Sequence, residues 1–294
     1  MPKTALPTIG QRTLIYAHRG AMAYRPQNTM AAFELAWRMG AHGIELDVQC
    51  SRDGVAVVFH DDTLDALTDG TGRVRDHDWA DLQRLNAGSH FGNEYADARI
   101  PNLETVLRAR PAQSFINIEL KTELHDATPE QQARRSSAAR PALTRQPSSP
   151  VETEARRIAQ RTAECIRRVA FDFPDLGEYL IVSSFHPAAL KAFADAMPHI
   201  MMAQLFSSST ALDTAPLMAE LAHDALSIDA ADTTQSTVQA AHERGKYINC
   251  WTVNDEASAR QLLAWGVDGV LTNHPDILLA LLSQHDTPSL NQQT

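Results

Sequence analysis

Cysteine is nearly absent. The 294-residue chain has three, Cys50, Cys165 and Cys250, odd in number, far apart and without a Cys-x-x-Cys pair. That usage speaks against a disulfide framework and fits a reducing compartment, so a cytoplasmic protein is expected. Glycine (13) and proline (15) are too few for a collagen-like or wholly disordered chain. Basic charge is in deficit as well: 26 Lys and Arg against 36 Asp and Glu leave a formal net charge of −10, which disfavours nucleic acid as a partner. No run approaches the roughly 20 apolar residues of a membrane span. Residues 1–20 carry no signal-peptide apolar stretch, and no amphipathic anchor is evident. A soluble protein without a stable membrane anchor is expected. An anionic ligand is not excluded, because a cation held by carboxylates reverses the local sign.

What the chain does have is alternation. Strand-like apolar runs occur at Leu14–His18, Ile44–Val48, Phe115–Leu120, Tyr179–Ser183, Met201–Leu205, Ala225–Asp229, Tyr247–Val253 and Gly269–Thr272. Most are unbroken rather than alternating, as in strands covered on both faces. Helical patterns follow them, at Asn28–Met39, Leu103–Ala109, Glu154–Ala170, Pro187–Ala196, Pro216–His223, Thr234–Arg244, Glu256–Trp265 and Asp276–Ser283. Eight strands alternating with eight helices predict a closed parallel (β/α)8 TIM barrel over residues 13–284, and the length suits one such unit. Two segments break the pattern. Residues 49–100 hold an Asp53-Gly54 turn between two strand runs, a β-hairpin signal, and read as a small insertion after strand 2. Residues 126–154 lack aromatics and isoleucine and are rich in Pro, Ser, Gln, Arg and Ala, so a flexible loop is expected. A disordered tail is expected at 285–294.

Polar residues gather at the C-terminal ends of the proposed strands, where a barrel carries its chemistry. These are His18-Arg19-Gly20, Glu45 with Asp47, Asn117 with Glu119 and Lys121, Trp251 to Asn254, and Thr272-Asn273-His274. Glu45 and Asp47 point the same way, as do Asn117, Glu119 and Lys121. Bare carboxylates inside a barrel are very costly. A divalent ion, Mg²⁺ or Ca²⁺, held by Glu45, Asp47 and Glu119 answers that cost, since hard cations take oxygen ligands; a salt-bridge network with Arg19 and Lys121 is the plainer alternative. Lys121 would neutralise part of the cluster or hold an anionic substrate. Arg19 can present its planar fork to phosphate. The hairpin places Ser51 opposite Val55, and that register brings His60 back to the Glu45–Asp47 stretch. His18 and His60 beside a metal site offer a general base and a general acid near neutral pH, with His18 favoured as base. Asn273 reads as a turn residue before Pro275.

The ordered set of His18-Arg19-Gly20, Glu45-Leu46-Asp47, Arg52-Asp53-Gly54, Val57 to Asp61, Glu119-Leu120-Lys121, Ser183-Ser184-Phe185, Trp251 to Asn254 and Asp268 to Asn273 resembles the glycerophosphodiester phosphodiesterase family, over roughly Leu14 to Leu282. The resemblance implies catalytic His18 and His60, metal ligands Glu45, Asp47 and Glu119, phosphate contacts from Arg19 and Lys121, and Trp251 along the substrate pocket. It implies hydrolysis of a small glycerophosphodiester to sn-glycerol 3-phosphate and an alcohol. One departure is visible: the family's Pro-Glu-Asn-Thr is Pro26-Gln27-Asn28-Thr29 here, which keeps hydrogen bonding and loses a charge. The rival readings are a phospholipase-D-like cleavage of lysophospholipids at the same site and a non-catalytic phosphate-ligand binder. The second should have lost a histidine or a carboxylate, and this chain keeps all five.

Overall fold

The apolar runs are buried along most of their length, as strands covered on both sides must be. In the computed structural model, which describes residues 6–122, 150–206 and 223–285, they form β1 (Leu14–Ala17), β2 (Gly43–Cys50), β4 (Phe115–Leu120), β5 (Leu180–Ser184), β6 (Met201–Phe206), β7 (Ala225–Asp229), β8 (Tyr247–Trp251) and β9 (Gly269–Thr272). These eight are parallel, each paired with its neighbours, and β1 pairs with both β9 and β2, so the sheet closes into the expected barrel. A short β3 (Ala56–Val58) runs antiparallel to β2.

Alternation along each strand sorts the two faces. Ile44, Leu46 and Val48 of β2 face outward and pack with Phe33 and Ile166 in the layer under the helices. Leu14, Tyr16, Phe115, Ile181, Met201 and Leu271 face inward and fill the barrel's lower half. The helices α1 (Met30–Arg38), α3 (Leu103–Ala109), α4 (Pro150–Asp172), α5 (Pro187–Ala196), α6 (Gln235–Glu243), α7 (Glu256–Trp265) and α8 (Pro275–His285) cover the outside, and a one-turn α2 (Trp79–Leu82) lies in the insertion. Side-chain caps start several of them. Thr29 accepts from the Ala32 N–H, Asn102 from Thr105, Thr234 from Thr237 and Asp255 from Ser258.

The hairpin follows the expected register, with the Ser51 N–H donating to Val55 O at 3.0 Å and Gly54 at a φ of +85° in the turn. The rest of the insertion closes over a small core of its own, including Val57, Phe59, Leu64, Val74, Leu82 and Ile100. Helix α4 is already helical at Pro150, where the described residues resume, ahead of the expected Glu154. Residues 126–149 of the expected loop, most of the expected helix at 216–223 and the tail from 286 onward lie outside the described residues. No helix among the described residues is long and apolar enough to cross a membrane. The three cysteines are buried and free.

Gly43 lets two rings into the barrel floor. A Cβ there would stand 2.7 Å from the Phe115 carbonyl oxygen and 2.8 Å from Tyr16 Cδ1. Gly43→Ala should therefore cost about 1–3 kcal/mol, the usual penalty of overpacking. The measurement is a urea titration: the midpoint falls while the slope holds, and an unmoved midpoint would contradict this account of the floor.

Candidate active site

The acids meet because two adjacent strands are in register. Glu45 lies beside Asn117 and Asp47 beside Glu119 across the β2–β4 ladder. One oxygen from each of Glu45, Asp47 and Glu119 lies within 4.8 Å of the others. His18 follows β1 directly, its N–H donating to Thr272 O at 2.8 Å. The chain then turns through left-handed conformations at Arg19 (φ 53°) and Gly20 (φ 80°). Only glycine fits the second position, since a Cβ would come within 2.7 Å of the Ala32 backbone. The turn aims the Arg19 N–H at Glu45 Oε2, 3.0 Å away, and sets Arg19 Nε 3.4 Å from Asp47 Oδ2.

His60 arrives as the hairpin register requires. Beyond the last β2–β3 pair, the Phe59 N–H donates to Asp47 O at 3.0 Å. Gln49 then fixes the turn, its Nε2 donating to the carbonyls of Phe59, His60 and Asp61 at 3.0, 3.2 and 2.8 Å. His60 Nδ1 lies 2.7 Å from Asp61 Oδ1. Every expected site residue except Asp47 lines one cavity of about 110 Å³ at the barrel mouth, together with Ser183, Phe185 and Leu271. Asp47 sits just beneath, buried, and is reached by Arg19, Asn28 and Lys121. Trp251 stands edge-on to Phe185 at 5.6 Å and 88° and forms one wall.

Charge in this space is unevenly settled. Burial, then repulsion from Asp47 and Glu119, pushes the Glu45 carboxyl well above the usual carboxylate range. Burial alone would raise Asp47 too, but the Arg19 guanidinium and the Lys121 ammonium hold it well below that range. Burial would lower Lys121, yet Glu119 at 3.0 Å and Asp47 at 3.7 Å raise it. Two cations thus face three carboxylates, and Glu45 is the acid they leave unsatisfied. Three convergent carboxylates with a residual negative charge are a donor set for a hard divalent cation, so these residues fit such an ion. Burial, then Arg19, lowers His18 to about 4, which keeps its imidazole neutral at physiological pH.

A profile of the glycerophosphoryl diester phosphodiesterase family matches residues 18–277. The chain belongs to that family. A glycerophosphodiester phosphodiesterase of Bacillus altitudinis is 34% identical over 271 residues, spanning 90% of this chain and 96% of its own. One from Caldanaerobacter subterraneus is 29% identical over 279 residues, spanning 92% and 98%. Among solved structures, an Oleispira antarctica phosphodiesterase in complex with the product sn-glycerol-3-phosphate is similar at a TM-score of 0.73 and 25% identity, covering 95% of this chain and 97% of that one.

Around the expected residues of this phosphodiesterase stand supporting ones. Asn28, itself at a φ of 55°, donates from Nδ2 to Asp47 Oδ2 at 2.8 Å; the helix cap is Thr29. Gln27 accepts from Arg19 Nη1 at 2.6 Å, so the departure from the family's glutamate keeps the hydrogen bond. Ser183 Oγ donates to Asn117 Oδ1 at 3.0 Å. Asn273, expected as a turn residue, has its Oδ1 2.8 Å from His18 Nδ1. An Asn two residues before a proline gave no hint of that, whereas Asn28 beside a helix start could have been suspected.

If Glu45 holds a proton above the usual carboxylate range, a divalent ion must displace it. Titrating Mg²⁺ or Ca²⁺ into metal-free protein in mildly acidic solution should release protons, and Glu45→Gln should abolish that release. Calorimetry in buffers of different ionisation enthalpy measures it. Proton-neutral binding would contradict the raised Glu45.

Proposed function

We propose that this chain hydrolyses small glycerophosphodiesters to sn-glycerol 3-phosphate and an alcohol, with a divalent ion at Glu45, Asp47 and Glu119 and with His18 and His60 as base and acid. The observation that carries the reading is the convergence, in one cavity of a member of this family, of acids, two imidazoles and two cations drawn from distant parts of the chain. The product-bound Oleispira relative supports the choice of substrate class. The free, buried thiols support a cytoplasmic setting.

A divalent ion bound there would polarise a non-bridging phosphate oxygen and offset charge gathering on the phosphoryl group. The protein's side chains supply the rest. Neutral His18 takes a proton from the attacking oxygen, a water's or the substrate's own glycerol hydroxyl (the latter by way of a cyclic phosphate that water then opens), as the new P–O bond forms. The bond from phosphorus to the leaving alcohol breaks, and His60 gives that oxygen its proton. Arg19 and Lys121 share the charge on the phosphoryl oxygens. The Trp251–Phe185 corner offers an apolar wall to the substrate's carbon skeleton.

Release of glycerol 3-phosphate from glycerophosphocholine and glycerophosphoethanolamine tests this. Thorough chelation should abolish it and Mg²⁺ or Ca²⁺ should restore it; activity that survives chelation removes the metal from the reaction. His18→Ala and His60→Ala should each lower kcat by about 10²–10⁴-fold, and normal turnover in either variant removes that histidine. Failure to cleave either diester, with cleavage of lysophospholipids instead, would replace the substrate class.

A further inference from the structure

His18 has two ring nitrogens, and only one can serve as a base at a time. Nδ1 lies 2.8 Å from Asn273 Oδ1, and Nε2 lies on the acid side, 4.0 Å from Glu45 Oε2. A neutral imidazole with its proton on Nδ1 donates to the Asn273 carboxamide and leaves the Nε2 lone pair in the cavity. With Asn273 Oδ1 toward the ring, the opposite tautomer would set two acceptors against each other and close off Nε2. The main chain of Asn273 is held on both sides. Its N–H donates to Asn254 Oδ1 at 2.9 Å, and its carbonyl accepts from the Ala23 N–H at 3.3 Å. His60 is backed differently: its Nδ1 faces the carboxylate of Asp61 at 2.7 Å.

We propose that Asn273 is a positioning residue that selects the Nδ1–H tautomer of His18 and so presents Nε2 as the proton acceptor. The proposal rests on the reading of His18 as base given above and goes beyond it by naming the group that makes one nitrogen available. A neutral carboxamide suits the task, since it accepts the Nδ1 proton without adding a fourth negative charge beside Glu45, Asp47 and Glu119.

Asn273→Leu keeps the side chain's bulk and removes the acceptor. It should lower kcat by about ten- to a hundredfold, a part of what a general base contributes, with KM little changed. Asn273→Asp, which keeps an acceptor but adds a fourth negative charge, should retain more turnover than Asn273→Leu and less than the parent. In a His18→Ala background, Asn273→Leu should cost nothing further, because its effect passes through His18. Long-range ¹H–¹⁵N spectra of the parent enzyme, with the His18 signals assigned by their loss in His18→Ala, should show Nδ1 protonated. Parent turnover in Asn273→Leu overturns the proposal, as does a loss that adds fully to that of His18→Ala. A parent spectrum with Nε2 protonated overturns it as well, whatever Asn273→Leu does to turnover. If His18→Ala itself turns over normally, the reading of His18 as base has failed; a crippled His18→Ala beside an unaffected Asn273→Leu refutes the positioning role alone.

Discussion

Three carboxylates within 4.8 Å of one another, two of them buried, are the constraint around which the barrel mouth is arranged. Such a group is unstable as bare charge. The fold answers with Arg19 and Lys121, and both are held in place by the acids they neutralise. The answer is incomplete by one charge, and it falls on Glu45. That deficit suits the mouth to the proposed dication, with Arg19 and Lys121 left for the proposed phosphate. A fully neutralised cluster would have been a better structural element and a poorer site.

The barrel was legible because its signal is repetitive. Unbroken apolar runs such as Ile15-Tyr16-Ala17 and Leu180-Ile181-Val182 alternate with capped amphipathic segments, and each repeat reinforces the next. The site was legible for a narrower reason: strand periodicity put Glu45 with Asp47 and Asn117 with Glu119, and hairpin register carried His60 to them. Both arguments use backbone geometry, which sequence spacing encodes directly.

What escaped were the contacts between loops. Asn273 reaching His18, Gln49 clamping three carbonyls and Asn28 turning into Asp47 depend on how loops of different strands lean toward one another. No period in the chain reports that. Asn28 shows the difficulty well: its position before Thr29 suggests helix capping, but the cap is Thr29 and Asn28 spends its left-handed backbone on facing the acids. Gln27 is the opposite case. Its hydrogen bond to Arg19 survives without a carboxylate, so the guanidinium's charge is left to Asp47 and to the cavity.

The hydrogen bond between His18 and Asn273 joins residues 255 positions apart. It forms only where the first and last strands lie side by side, so the imidazole gains this neighbour at the moment the ring is sealed. During synthesis, a growing polypeptide would carry both histidines, all three acids and both cations long before its final strand left the ribosome. It would still lack the amide that steadies the first of those histidines. The neighbour of His18 Nδ1 is thus supplied across the β1–β9 seam, by the last strand of the ring.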